Sequence, residues 1–370
     1  MSAAAAAPRG NARLRAIDRY LGIPLVPGGG ALKRRRPLPE RIERIGIVNS
    51  TNIGDTVLLA PVAQDISAAY PAAETIVFAG PATTPIVRLL DGIRGVPLRL
   101  SSPFDAVRTL RSERLDVVLD FDQWPRVEPV YCMLSAARWA GGFRSPGQHR
   151  HYWYDGVADH SDQLHELDNY RRLAAVLGVE SRSIPSFPAP GAVPPDELPP
   201  DPYAVFHLWP TGLNSGLKEW PWERWRALGR ELAARGLTIA LTGGPADVER
   251  TREFATGSGD LQPALVDVSG KYDLAQVVDV LCGSRCVVSV NTGVMHLAAA
   301  TGTPTIGLNG PTSERRWGPV GPRAASVNSP LEGCGYLHFG WEYRGRRADC
   351  MDGIATEHVL EKVLELTGDR

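Results

Sequence analysis

The stretch VVSVNTGVMHLAAATGTPTIGL, residues 287–308, decides the fold of the second half of the chain. Its run Val287–Val290 is short, apolar and rich in β-branched residues, which indicates a buried strand. Met295–Thr301 then predicts a helix that Asn291 or Thr292 caps, and Thr305–Leu308 predicts another strand. The turn before the helix therefore collects free backbone N–H groups and the positive end of a helix dipole, which suits a phosphate group.

Strands and helices alternate in the same way from Ile45 onward, which predicts an α/β fold with doubly wound parallel sheets. Eight prolines between Ile184 and Pro202 interrupt this alternation and predict a hinge, because proline fits neither helix nor sheet interiors. We therefore predict an N-terminal arm over residues 1–44, a first domain over 45–183, a hinge over 184–202, a second domain over 203–353 and a C-terminal helical segment over 354–370.

The composition sets limits on function. A hydrophobic content of 43% and a formal net charge of -1 are typical of a globular protein with no bias toward nucleic acid. The sequence has no apolar run of about 18 residues, so it predicts no membrane span. The first residues lack the basic start and apolar core of a signal peptide, and we expect a cytoplasmic location.

The N-terminal arm combines a rough apolar face with the basic cluster Lys33–Arg36. One interpretation is weak peripheral contact of residues 1–40 with the anionic inner face of a membrane. The other is an arm that packs on the protein itself. The apolar face consists of Leu14, Ile17, Leu21 and Ile23.

The five cysteines contain no CxxC pair, and we expect no metal site. Cys334 and Cys350 flank an aromatic loop and could pair, but a cytoplasmic location argues against a disulfide. The sequence therefore predicts free thiols.

Two motifs give the chain a resemblance to a known family. The segment NTGVMHLAAATGTP (291–304), followed by GPT (310–312) and WGP (317–319), resembles the ADP-heptose:lipopolysaccharide heptosyltransferase family, glycosyltransferase family 9. The segment IGDTVLLAP (53–61) is similar to the amino-terminal element of the same family. The resemblance runs from about Arg44 to the C-terminus. It implies the GT-B fold, two Rossmann-like domains facing a central cleft, with a final helix that can cross back onto the first domain.

The resemblance also implies an inverting glycosyl transfer that needs no metal or other cofactor. Asp55 matches the proposed general base, which removes the proton of the attacking hydroxyl. Lys218 matches a lysine that neutralises the diphosphate of a nucleotide-sugar donor. From the residues alone, Asp55 can also be a helix cap and Lys218 a surface lysine.

Further contacts with substrate follow from the same resemblance. Position 291 is commonly Asp in the family and is Asn here, which makes the donor sugar or its pose an open question. The implied acceptor contacts are Asn52, Arg138 and Arg144. The implied donor contacts are Thr211, Ser215, Lys218, Gly243, Asp247, Asn291, Thr292, Gly293 and His296.

Three functions are consistent with these residues. The first is transfer of a heptose-like sugar, with ADP-heptose as donor, to a saccharide acceptor that is by family default the lipopolysaccharide core. The second is the same chemistry on a small natural product, such as an aminoglycoside or nucleoside antibiotic. The third, from another class, is a nucleotide-sugar epimerase or hydrolase.

Overall fold

A computed structural model describes residues 33–50, 52–123, 126–212, 215–338 and 347–368. These residues divide into two units, and the division falls between Ser186 and Phe187. We call the unit up to Ser186 the first domain and the unit from Phe187 onward the second domain.

The first domain contains a parallel sheet whose six described strands have the spatial order β3-β2-β1-β4-β5-β6. Its strands are β1 (Arg44–Asn49), β2 (Glu74–Ala79), β3 (Ile93–Pro97), β4 (Val117–Asp120), β5 (Trp139–Arg144) and β6 (Gly156–Asp159). Its described helices are α1 (Ile53–Ala69), α2 (Thr84–Val87), α3 (Pro103–Ser112), α4 (Val127–Leu134) and α5 (Glu166–Ala174).

The second domain repeats this architecture. Its six described strands are parallel and have the order β12-β11-β10-β7-β8-β9. The strands are β7 (Tyr203–His207), β8 (Thr238–Thr242), β9 (Leu265–Asp267), β10 (Cys286–Val290), β11 (Thr305–Asn309) and β12 (Ala324–Asn328). The described helices are α6 (Trp222–Ala233), α7 (Val248–Thr256), α8 (Leu274–Gly283), α9 (Gly293–Ala300), α10 (Glu314–Trp317) and α11 (Thr356–Thr367).

The predicted α/β class and the parallel sheets are confirmed. The central strands β1, β4, β7 and β10 are buried almost throughout, as expected where helices cover both faces of a sheet. The helix predicted over Met295–Thr301 begins two residues earlier, at Gly293, with Thr292 as its N-cap. The sequence analysis did not assign β3, β5, β6, β12 or α3.

Strand order reverses once in each sheet, and this reversal positions the candidate sites. In the first domain β2 and β4 lie on opposite sides of β1, and in the second β10 and β8 lie on opposite sides of β7. The chain segments that follow β1 and β4 therefore run to opposite faces of the first sheet. Those that follow β7 and β10 run to opposite faces of the second. A crevice opens at the carboxyl ends of these strands, where doubly wound sheets bind ligands.

The proline-rich segment predicted as a hinge over 184–202 is attached to the second domain over most of its length. Phe187 is buried, and its backbone N–H donates to the Ala300 carbonyl at 2.9 Å. The Asp279 carboxylate accepts three backbone N–H groups, from Gly191 at 2.9 Å, Ala192 at 2.6 Å and Val193 at 2.9 Å. The segment is therefore structured rather than loose.

The residues just before this segment are attached to the first domain. The Ser181 and Ser183 hydroxyls each donate to the Asp65 carboxylate at 2.6 Å, and Asp65 lies on α1. The change from one domain to the other is therefore confined to residues 184–186.

The C-terminal helix packs within its own domain, and its predicted crossing onto the first domain stays a prediction. Helix α11 packs against α6, β11 and β12, all in the second domain. Its buried residues Val359 and Val363 join the same apolar core as Trp225 of α6. The crossing was expected from the family resemblance rather than from the pattern of the helix.

The prediction of free thiols at Cys334 and Cys350 is wrong. The two residues form a disulfide in the structure. Cys350 is fully buried beside Tyr336 and Leu337, so the bond closes a small apolar cluster.

The arm hypothesis falls mostly outside the described residues, because residues 1–32 are not described. Of the basic cluster, Lys33 and Arg36 both pair with Asp155 of the first domain, at 3.2 and 3.0 Å. These two charges are therefore used in packing on the protein. Within the described residues no helix is both long and apolar enough to cross a membrane.

Replacing Asp279 with Ala should lower the free energy of unfolding of the second domain by about 3 kcal/mol, because three backbone donors lose a charged acceptor. Urea denaturation measures this change. Asp279→Asn keeps one acceptor oxygen and should cost less. Asp260→Ala removes an exposed carboxylate from the same domain and should have little effect. Equal stability of Asp279→Ala and the wild type would contradict the anchoring role.

Candidate active site

Asp55 lies at the third position of α1, the helix that follows the carboxyl end of β1. The N-cap of this helix is Asn52, so Asp55 is not a cap, which removes that alternative. Asn52 instead donates its side-chain N–H to Asp55 Oδ2 at 3.0 Å. Asn52, predicted to contact the acceptor, therefore orients the candidate base.

Tyr170 of α5 holds the other carboxyl oxygen. Its hydroxyl donates to Asp55 Oδ1 at 3.0 Å. The Tyr170 ring is buried and packs edge-on against Phe121 and in a stacked arrangement with Phe143. Because both Asp55 oxygens accept from fixed donors, the carboxyl group has a defined orientation.

Burial, together with the nearby Glu166 carboxylate, raises the pKa of Asp55 to about 7. The hydrogen bonds from Asn52 and Tyr170 oppose this effect, since they favour the charged form. An aspartate with a pKa near 7 exists in both protonation states at neutral pH. It can therefore accept and release a proton under ordinary conditions.

Glu166, which raises the pKa of Asp55, is itself fully buried and paired with a histidine. Each of its carboxyl oxygens lies 3.2 Å from His160 Nε2. Asn169 also donates to Glu166 Oε2 at 3.3 Å. This side of the site is therefore a connected polar network contributed by α5 and by the segment after β6.

A second buried network lies at the carboxyl end of β4, the strand beside β1. The Arg150 guanidinium pairs with Asp120 at 2.5 Å and with Glu128 at 3.5 Å. Ser50 donates its hydroxyl to Asp122 at 3.0 Å and to Glu128 at 2.9 Å. Burial raises the pKa values of Asp120, to about 6, and of Glu128.

Carboxyl oxygens of Asp120, Asp122 and Glu128 lie within 4.8 Å of one another, a spacing that a metal ion could bridge. Arg150 already supplies positive charge to two of the three. The cluster thus has a protein cation as its counter-charge.

The two arginines predicted for the acceptor lie at opposite ends of β5. Arg138 precedes the strand, is largely exposed and pairs with Asp116 at 3.3 Å. It lies at the amino edge of the sheet, so the structure does not bring it together with Asp55. Arg144 ends the strand, at the carboxyl edge that Asp55 also occupies, and pairs with Asp159 at 3.4 Å.

In the second domain the predicted donor residues follow three adjacent strands. Thr211 comes after β7, Gly243 and Asp247 after β8, and Asn291 after β10. Because these strands are parallel and neighbouring, their carboxyl ends place the residues at one edge of the sheet. The structure therefore places the predicted donor residues at one edge of the sheet, and their contact with a donor stays a prediction.

The loop after β7 carries Lys218, whose ammonium group donates to the Thr211 carbonyl at 3.0 Å. Burial lowers the pKa of Lys218 to about 8. This bond uses one of the three ammonium donors and keeps the side chain folded over its own loop. Ser215 starts the short 3-10 turn that ends at Lys218.

Both ends of this loop are fixed on the rest of the domain. The buried Trp209 indole donates to Thr251 at 2.8 Å, and Arg250 stacks 4.2 Å from its ring centre. Arg250 also pairs with Glu219 at 2.6 Å. The loop that presents Lys218 therefore has rigid supports on α7.

The turn after β8 is held by Asp247, whose carboxylate accepts the Gly244 N–H at 2.8 Å. A side chain at Gly243 would lie 2.9 Å from Asp247 Cβ and 3.1 Å from the Trp209 ring, so glycine is needed there. Asp247, predicted as a ribose contact, thus has one oxygen committed to the turn.

Asn291 connects three loops. Its amide nitrogen donates to Asn309 Oδ1 at 2.7 Å and to the Trp317 carbonyl at 2.8 Å. Asn309 in turn donates to Ser326 at 2.9 Å. Both amide hydrogens of Asn291 serve the fold, so what it can offer a ligand is its carbonyl oxygen. An aspartate would have no hydrogens for these two acceptors.

Helix α9 begins beside Asn291. The Thr292 hydroxyl lies 3.4 Å from the Ser289 hydroxyl instead of capping the helix, so Gly293 and the next residues present their N–H groups at the carboxyl edge of β10. His296 lies further along the same helix and is buried. Its predicted contact with the donor stays a prediction.

Comparison with known proteins bears on these two domains. The sequence profile of glycosyltransferase family 9 (heptosyltransferase) matches residues 106–336, more than half of the chain. The chain belongs to this family. The resemblance drawn from the two motifs is confirmed.

Lipopolysaccharide heptosyltransferase 1 of Escherichia coli K12 is 40% identical over 131 residues, which cover 35% of this chain and 39% of that protein. The alignment thus spans about two fifths of that relative. The structure of E. coli ADP-heptose lps heptosyltransferase II has a TM-score of 0.71 at 19% identity, covering 88% of this chain and 98% of that one. E. coli heptosyltransferase WaaC with ADP gives 0.69 at 23% identity, covering 87% and 99%. Both structures show that the GT-B fold is shared.

Sequence reasoning within this family missed the residues that surround Asp55. Tyr170, Glu166 and His160 lie more than a hundred positions along the chain, on or near α5, and no short motif connects them with Asp55. One segment of the sequence could have indicated these residues. The segment HELDNY, residues 165–170, places two acidic residues, an amide and a tyrosine at the start of a helix.

The raised pKa of Asp55 makes the stability of the first domain depend on pH. The ordinary value is 3.8 and the folded value is about 7, so the folded state binds the extra proton and loses stability as pH rises through this interval. Asp55→Asn has no charge to bury. Its stability relative to the wild type should therefore rise by about 2 kcal/mol between pH 5 and pH 8, measured by urea denaturation.

A matched control lies on the same helix. The pKa of Asp65 is lowered by the hydrogen bonds of Ser181 and Ser183, which outweigh its partial burial. Asp65 stays ionised across this pH range, and Asp65→Asn should differ from the wild type by a constant amount. A constant difference for Asp55→Asn as well would show that its carboxyl group is not strained by burial.

Proposed function

We propose that the protein is an inverting glycosyltransferase that moves a heptose-like sugar from a nucleoside diphosphate donor, ADP-heptose, to a saccharide hydroxyl. The observation that carries this proposal is the Asp55 carboxyl group. It is buried, it is oriented by Asn52 and Tyr170, and its pKa is about 7. A general base for a sugar hydroxyl needs a defined orientation and a pKa near the working pH, and burial contributes to that pKa.

In the proposed step the acceptor oxygen attacks the anomeric carbon from the face opposite the diphosphate. Its proton passes to an Asp55 oxygen as the new C–O bond forms. The bond between the anomeric carbon and the diphosphate oxygen breaks, and its electron pair leaves with the nucleotide. Each Asp55 oxygen accepts one hydrogen bond from the protein, which leaves lone-pair capacity for the acceptor hydroxyl.

The second domain supplies the charge that stabilises the leaving group. With a pKa of about 8, Lys218 is mostly an ammonium ion at pH 7, and an anionic diphosphate beside it favours that form. The first N–H groups of α9, after Thr292, add the positive end of a helix dipole. We propose that these groups perform the neutralisation and that the transfer needs no metal ion.

The acceptor is proposed to be a saccharide of the lipopolysaccharide core. Family membership and the partial match to a lipopolysaccharide heptosyltransferase support this choice. Arg144 lies at the carboxyl edge of the first sheet, where a phosphorylated acceptor would meet a cation. A small glycosylated natural product is the second candidate, and an acceptor panel containing both classes distinguishes them.

Asp55→Asn should lower kcat by about a thousandfold, the usual contribution of a general base, while the Kd of the donor stays unchanged. Steady-state kinetics with ADP-heptose and a core saccharide, together with calorimetric donor binding, measure both effects. Asp65→Asn, on the same helix, should keep the wild-type kcat. Substantial turnover by Asp55→Asn would contradict the assignment.

Lys218→Met should weaken binding of ADP-sugars much more than binding of adenosine, because the lysine is proposed to meet the diphosphate rather than the base. Thermal-shift titrations with ADP-, GDP-, UDP- and CDP-sugars first establish the nucleotide preference, expected to be ADP. Lys271→Met, which removes an exposed lysine bonded to the Glu197 carbonyl, is the matched control.

Two outcomes would redirect the proposal. A preference for a nucleotide other than ADP would overturn the donor assignment but not the chemistry. Rapid conversion of the donor in the absence of any acceptor would instead favour an epimerase or hydrolase.

A further inference from the structure

The outward face of helix α3 exposes a large apolar side chain. Phe104 is 92% exposed, about twice the fraction of the other large apolar side chains at the described surface, such as Tyr152 at 43%. Burying a phenylalanine stabilises a fold, and Phe104 contributes none of this burial within its own domain. The opposite face of α3 packs normally, through Ala106 and Leu110.

Basic residues share this outward face. Phe104, Val107 and Arg108 are followed by Arg111 and Ser112 at the spacing i, i+3, i+4, i+7 and i+8, which places all five on one side of a helix. Together with Arg114 they line an open concavity of about 700 Å³. We call these six residues the α3 surface.

The α3 surface has a net positive charge. Asp105 is the acidic residue next to it and pairs with Arg108 at 2.8 Å. Glu113 points to another partner, since it pairs with Arg94 at 2.5 Å. Three arginines therefore face one aspartate, although the whole chain has a formal net charge of -1. The positive charge is local.

We propose that the α3 surface docks on an anionic lipid bilayer, with Phe104 inserted among the lipid chains and the arginines on the headgroups. A stable protein interface needs a broad apolar core, which one phenylalanine and one valine do not supply. A membrane surface needs no such core, because attraction of basic residues to anionic headgroups and insertion of an apolar side chain add up to reversible binding. This surface includes none of the residues 1–40 and none of the proposed catalytic or donor residues.

The test uses the full-length protein and sedimentation with vesicles of phosphatidylcholine alone or mixed with phosphatidylglycerol. The wild type should bind the mixed vesicles more strongly than the neutral ones. Arg108→Ala/Arg111→Ala should lower the partition coefficient on mixed vesicles by about tenfold, because each basic residue near an anionic surface contributes to binding. Phe104→Ser should also lower it, and Arg108→Lys/Arg111→Lys, which keeps the charge, should retain most binding.

Matched controls remove equivalent groups elsewhere. Arg230→Ala/Arg235→Ala removes the same charge from two surface arginines, one on α6 and one just after it, and Tyr152→Ser removes another exposed aromatic ring. Both should bind as the wild type does. Equal binding by the α3 variants and the wild type would overturn the proposal, as would equal binding to neutral vesicles. Conversion of a dimer to a monomer by Phe104→Ser would show instead that this face contacts a second copy of the chain.

Discussion

The reversal of strand order in each parallel sheet is the constraint on which the rest of the molecule depends. Helices leaving β1 and β4 must cover opposite faces, and those leaving β7 and β10 must do the same. The backbone therefore separates at the carboxyl ends of these strands and leaves room for side chains and ligand. Asp55 in one domain lies in the first turn of the helix that follows β1, and Asn291 in the other comes directly after β10.

In the first domain this opening contains carboxyl groups whose burial costs free energy. Desolvation would drive Asp55, Asp120 and Glu128 toward their neutral forms, and hydrogen bonds or a cation must limit this effect. The environments differ. Arg150 sits among Asp120 and Glu128 as a counter-charge, whereas Asp55 has neutral donors and a nearby Glu166. The pKa of Asp55 accordingly rises to about 7, against about 6 for Asp120 beside Arg150.

The sequence predicted those parts of the fold in which local pattern and tertiary environment agree. The strand and helix around residues 287–308 were found within two residues of their observed bounds, because an apolar run, a capping residue and a glycine all point to the same structure. Strand β5 was missed because its segment WAGGFR contains two glycines, which lower strand propensity. Gly142 is nonetheless needed, since a side chain there would lie 2.3 Å from the Tyr154 ring.

The sequence predicted the site residues that lie within a short motif, but not those that reach the site from a distant part of the chain. Asp55 and Lys218 follow strands within short recognisable segments, but Tyr170 reaches Asp55 from a helix far along the chain. The same limit explains Arg138. Arg138 was predicted to contact the acceptor together with Arg144. Only the direction of β5 shows that the two arginines lie at opposite edges of the sheet.

The attachment of the proline-rich segment also defines where the second domain begins as a folding unit. Its sheet starts at Tyr203, but its buried core and hydrogen bonds already include Phe187 and residues 191–193. A fragment cut at the first strand would leave the Asp279 carboxylate buried without its three donors and would remove Phe187 from the apolar interior. The second domain as a folding unit therefore begins at Phe187, some sixteen residues before its first strand begins at Tyr203.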